Sequence, residues 1–69
     1  MYEVVYESSE GTVSELLSEI EKVRSHIHEN LLIDPDLYVK VYTDRTGYRK
    51  RIWIDDLDEL RRQAKRDRL

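Results

Sequence analysis

The chain has no cysteine, no phenylalanine, one proline and two glycines among 69 residues. Without cysteine there is no disulfide, no thiolate metal site and no thiol nucleophile, and such a chain suits a reducing compartment. With only Gly11 and Gly47, a glycine-rich phosphate loop cannot be built. No serine sits in a Gly-x-Ser-x-Gly setting. No apolar run approaches the roughly 18 residues that cross a membrane. The opening MYEVVYE has neither the basic region nor the apolar core of a secretory signal, so cytoplasmic residence is expected. A chain this short makes a poor walled pocket. No enzyme acting alone is expected, and no motif implies a cofactor.

What the chain has in quantity is charge. Charged residues make up 39% of it, for a net charge of −3. The two halves differ in sign. Residues 1–36 carry nine acids and two bases, a balance of −7, whereas residues 37–69 carry ten bases and six acids, a balance of +4. Such a split marks many interaction proteins, and it also lets the two halves of one fold attract each other.

Periodicity divides residues 1–69 into the elements of one small domain. YEVVYE at 2–7 is rich in β-formers and reads as a strand. SSEG at 8–11 reads as a turn. In TVSELLSEIEKVRSHIHENLLI, residues 12–33, the apolar positions Val13, Leu16, Leu17, Ile20, Val23, Ile27 and Leu31 recur at spacings of three and four, the stripe of a helix. Thr12 and Glu15 have the spacing of a capping box that opens it, and Asn30 suits its C-terminal end. Pro35 disfavours helix at Asp34 and ends the run. LYVKVYT at 37–43 alternates strictly, DRTG at 44–47 is a turn, and 48–54 is the returning strand of a hairpin. DDLDELRRQAKRDRL at 55–69 is a final helix, with Asp56 and Glu59 as a second capping box and bases gathered toward its C-terminal end.

The expected order is therefore β-α-β-β-α. The fold class is α+β, a two-layer sandwich with two helices on one face of a three-stranded antiparallel sheet in the order 1-3-2. The topology resembles a ferredoxin-like fold without its last strand. RNA-recognition motifs are not matched: TGYRK supplies Gly47 and Tyr48, but Thr46, Arg49 and Lys50 depart from that central-strand pattern.

Alternation in the hairpin sorts its side chains. Leu37, Val39, Val41, Ile52 and Ile54 take the helix-covered face, which requires odd numbers to pair with even ones, such as Val39 with Ile52. The outer face then holds Tyr38, Lys40, Tyr42, Arg49, Arg51 and Trp53. Tyrosine, tryptophan and arginine are the residue types enriched at interface hot spots. The expectation is a protein-binding module of regulator or inhibitor type, of the kind a bacterium or phage encodes, with self-association into a homodimer through this face as one form. Bases interleaved with aromatics also suit single-stranded nucleic acid, aided by Arg61, Arg62, Lys65 and Arg66 on the last helix as a secondary basic face. A third alternative is an acidic mimic of nucleic acid presenting Glu15, Glu19, Glu21 and Glu29 from the first helix. Glu3 and Glu7, on the outer face of the first strand, are within reach of Arg49 and Arg51. Ion pairing there would make a solvated face without a partner, and it weakens the pull on phosphates. His26 and His28, two apart on a helix, point in divergent directions and cannot share a metal ion. The acids of IDDLDE at 54–59 read as helix-capping residues, with a magnesium site as the less favoured alternative.

Overall fold

A computed structural model of the chain describes residues 1–44, 47–54 and 56–67. The expected turn residues Arg45 and Thr46, the first acid of the last helix, Asp55, and the basic Arg68 lie outside these. The element order is β1 (Tyr2–Ser8), β2 (Gly11–Leu17), α1 (Ile20–Ile33), β3 (Tyr38–Thr43), β4 (Lys50–Ile52) and α2 (Leu57–Asp67). The class is α+β, with two helices and a fully antiparallel sheet.

The sheet has four strands in the order β2-β1-β3-β4, not three in the order 1-3-2. The difference lies in residues 11–17, which continue the N-terminal strand as a hairpin instead of starting the helix. Ser8 lies opposite Gly11 and the pairing runs without a break to Tyr2 opposite Leu17. Gly11 closes the two-residue loop with φ +131°, a backbone conformation that side-chain-bearing residues rarely adopt. Thr12 and Glu15 therefore face Glu7 and Val4 across the ladder and form no capping box. The helix begins at Ile20, after Glu19, without a side-chain capping bond. At its far end Asn30 is inside the helix: its side-chain amide donates to the His26 carbonyl at 2.8 Å, and the helix runs on to Ile33.

β1 is central, pairing with β2 on one side and with β3 on the other. Its alternation places Val4 and Tyr6 toward the helices, in one cluster with Val23, Ile27 and Leu31 of α1, Val39 and Val41 of β3, and Ala64 of α2. Val4, Val23, Ile27, Leu31 and Ala64 are fully buried. Helix α1 thus presents 23, 27 and 31 on one stripe, as the spacing required. Helix α2 docks on the same face with the narrower stripe of Leu57, Leu60 and Ala64. Arg61 donates to the Pro35 carbonyl, and the Arg24 guanidinium lies 3.5 Å from Asp56 Oδ1, tying α2 to α1 and its exit. Asp56 and Glu59 do not make the expected capping box: Glu59 instead accepts from Arg62 and Gln63.

The second hairpin keeps the expected faces but slides by two residues. Val41, not Val39, lies opposite Ile52, and Tyr42 lies opposite Arg51. A shift of two preserves every side-chain direction. β4 is shorter than the expected 48–54. Gly47 N–H donates to the Asp44 carbonyl at 2.9 Å with Gly47 at φ +80°, which closes the turn where the sequence placed it.

Candidate interface on the outer sheet face

The face of the sheet away from the helices is set by the β1 register. Glu3 lies opposite Tyr42 and Leu16, Val5 opposite Lys40 and Ser14, and Glu7 opposite Tyr38 and Thr12. Arg51 extends the Glu3–Tyr42 row onto β4. Arg49 and Trp53 flank it at the alternation that keeps them on this side. All six residues expected on the outer face are therefore there. Trp53 is 75% exposed and Tyr38 52%.

Each aromatic ring carries a cation. The Arg49 guanidinium lies 3.8 Å from the Tyr42 ring centre, that of Arg51 4.2 Å from Trp53, and the Lys40 ammonium 5.4 Å from Tyr38. All fall within the range of cation–π attraction. Two of the three cations are also held by acids. Arg49 reaches across Tyr42 to Glu3, 2.7 Å away, and Lys40 donates to Glu7 at 2.9 Å. The Glu7 hydrogen bond pushes the Lys40 ammonium above its ordinary titration range. Glu7 pairs with Lys40, and Arg51, the other arginine expected within reach of the β1 acids, makes no ion pair among the described residues. β1 abuts β3, so Lys40 is one strand from Glu7 and takes it, while Glu3, the acid in the row of Arg51, is held by Arg49. The Arg51 Nε is shielded from solvent and has no hydrogen-bond partner among the described residues.

Alternation along the first strand also puts Val5 on this face, as the register shows; sequence spacing missed its burial and one further member, Leu16. Val5 is 7% exposed although no helix covers it, because β2 and β3 flank it and Lys40 and Ser14 lie opposite. Leu16, assigned by its spacing to the helix, stands on the outer face at 63% exposure. The available signal was the β-rich run on each side of the SSEG turn. One depression lies here, and a second lies at the β3–β4 edge, between the sheet and α2. The first, of about 190 Å³, includes Glu3, Leu16, Tyr42 and Arg49. The other, of about 220 Å³, is lined from the helix side by Val41, Ile52, Ile54, Leu57 and Arg61, with Tyr38, Arg51 and Trp53 also on its lining. Both are smaller than the roughly 300–1,000 Å³ of small-molecule sites.

The remaining candidate groups are dispersed. Arg61 is turned to Pro35 and Arg62 is paired with Glu59 at 2.7 Å, leaving Lys65 and Arg66 exposed on the helical layer. Of the acids expected together on the first helix, Glu15 is on β2 and Glu19 precedes α1, so only Glu21 and Glu29 belong to the helix. His26 and His28 have separate partners. His26 Nδ1 is 2.6 Å from the Tyr6 hydroxyl and 3.2 Å from the Asn30 amide nitrogen, while His28 is 3.2 Å from Asp67. Since the Asn30 amide nitrogen can only donate, Nδ1 is the acceptor of this cluster. Burial pushes the Tyr6 hydroxyl well above the usual phenol range. Among the described residues no group of three or more His, Asp or Glu is placed to hold a metal ion, and no helix is long and apolar enough to cross a membrane. No protein-family model, no curated protein and no solved structure matches the chain.

Proposed function

We propose that the chain is a small non-enzymatic protein-binding module of regulator or inhibitor type, and that its contact surface is the outer sheet face. The observation that carries this is the Arg51–Trp53 stack. A three-quarters exposed indole lies under a guanidinium 4.2 Å from its ring centre, and that guanidinium has no acid partner among the described residues. A rigid aromatic beside a donor-rich cation is the composition of an interface hot spot. Tyr38 and Tyr42, each under its own cation, extend the patch, with Lys40, Arg49, Glu3 and Glu7 as its charged surround. A partner offering carboxylates or carbonyl groups around an apolar dent complements it. The cysteine-free composition suits work in the cytoplasm.

The same face supports nucleic acid less well. Its three bases meet two acids that already bind two of them, so little net positive charge remains for a phosphate track. Lys65 and Arg66 stand in the helical layer, across the sheet from that patch.

The test is affinity capture from the source cell with the wild-type chain, Trp53→Ala, Arg51→Ala and, as a helical-layer control, Lys65→Ala. One protein retained by wild type and the control but lost from both face variants is the expected result. Equal capture by all four chains would overturn the assignment. Tight, steeply salt-dependent binding of single-stranded oligonucleotide, lost in the face variants, would replace the protein partner with nucleic acid.

A further inference from the structure

Strand β2 is exposed on both of its faces. Val13, on the helix side, is 67% exposed, and Leu16, on the outer side, is 63% exposed. The helices do not reach far enough to cover Val13, and nothing lies over Leu16. β2 is also an edge of the sheet, so one row of its backbone N–H and C=O groups has no strand beside it. A partner lying over either face could cover only one of these side chains. An added strand in the plane of the sheet would cover both, since its own side chains alternate above and below.

The two edges of the sheet are built differently. β4, at the opposite edge, is three residues long and begins Lys50-Arg51. Short length and positive charge are the usual devices against unwanted strand pairing. β2 is seven residues long, GTVSELL, with no lysine, no arginine and no proline.

The sequence of β2 is its own complement. Two copies related by a two-fold axis, with their helices on the same side of a continuous sheet, must pair residues of the same facing. The register that pairs all seven residues has Ser14 on the axis. It sets Thr12 opposite Leu16 and Val13 opposite Glu15 of the second copy. The threonine methyl and the glutamate methylenes then cover the two exposed aliphatic side chains, and the two Glu15 carboxylates are diagonal neighbours, not directly opposite. A shift that puts Glu15 on the axis would set two carboxylates face to face, which is unfavourable.

We infer that β2 is a homodimerisation edge, at which a second copy of this chain pairs antiparallel about Ser14 to make one eight-stranded sheet. This edge is separate from the aromatic and basic face, and its assignment does not rest on the proposed function. The dimer carries the two Trp53 patches at its far ends and leaves them open.

The absence of native cysteine makes the test clean. Ser14→Cys puts the two thiols directly opposite each other, at a Cα separation of about 4.5–5.5 Å, inside the roughly 4.4–6.8 Å that a disulfide spans. Mild oxidation of this variant should give a linked dimer. Thr12→Cys alone should not link, because its two copies are about 13 Å apart along the strand. A mixture of Thr12→Cys and Leu16→Cys should link as the heterodimer. Trp53→Cys should stay unlinked. Light scattering of the wild type at high concentration should give twice the chain mass of 8.4 kDa. Ser14→Lys, judged folded by circular dichroism, should associate roughly five-fold more weakly or worse. A wild type that stays at one chain mass overturns the inference. So does linking of Trp53→Cys in preference to Ser14→Cys.

Discussion

Leu16→Ala and Leu31→Ala delete the same atoms from opposite environments, and the comparison separates a strand at 11–17 from a helix through it. Leu31 is fully buried, clustered with Val4, Tyr6, Val23 and Ile27, whereas Leu16 is 63% exposed on β2. A continuous helix over 12–33 would place 16, 20, 23, 27 and 31 on one stripe and bury both leucines. Truncating a buried leucine costs about 2.7–5 kcal/mol. A chain of this length has roughly 3–10 kcal/mol in total, so Leu31→Ala should remove a large part of its stability. At Leu16 about a third of the side chain is covered, so the loss should be about 1 kcal/mol or less. The assay is urea and thermal unfolding followed by far-ultraviolet circular dichroism. It is run dilute enough that doubling the concentration leaves the midpoint unchanged, which removes any contribution from pairing at β2. For a domain this size, each kcal/mol shifts Tm by about 4–8 °C. Leu31→Ala should therefore fall by well over 10 °C, and Leu16→Ala by less than about 8 °C. Equal losses at the two positions would refute the four-stranded sheet.

Three further outcomes follow from packing and charge. Val5→Ala should cost about 1.5 kcal/mol by denaturant unfolding, because Val5 is buried between strands on the side without helices; a loss near zero would mean that β2 does not flank it. Glu3→Gln should cost only about 0.2–1 kcal/mol, since Arg49 is largely exposed, and the cost should shrink in high salt. Burial raises the Tyr6 hydroxyl above its unfolded value near 10, so between these two values the folded state holds a proton that the unfolded state has released. Stability is then fully present below about pH 10 and falls as pH rises above it. Tyr6→Phe should flatten that alkaline decline. Lys40, raised by Glu7, declines with the same sign, and Glu7→Gln isolates its share.

The hairpin face and the α1 stripe were legible because each obeys a single period. Tyr38 through Tyr42 alternate without exception, so a register slip of two residues left every side chain on its expected side. Val23, Ile27 and Leu31 share a helical face with Ile20, whereas a strand would put Ile20 on the opposite side and set Ser25 and Glu29 among the other three. Residues 11–17 obey both periods. Val13, Leu16 and Leu17 continue the helical spacing of Ile20, yet Val13, Glu15 and Leu17 also share one face of a strand. The Thr12–Glu15 pair then added a false helix-start signal. What decides the matter is tertiary: β1 carries valine on both faces, at Val4 and Val5, and a strand beside it is needed to bury Val5. The ion pairs were partly hidden for the same reason, since Glu7 meets Lys40 through the strand order, which no local pattern encodes. The two capping boxes matched in spacing only. Glu59 had a nearer cation in Arg62, and the Asp56 carboxylate lies beside Arg24 of the other helix.

Trp53 is the only tryptophan of the chain, so acrylamide quenching of its fluorescence, free and in complex with the captured partner, tests the outer-face interface most directly. The indole should be quenched almost as readily as free tryptophan in the isolated chain and become protected in the complex. An indole already shielded in the isolated chain, or one equally quenched in the complex, would contradict it.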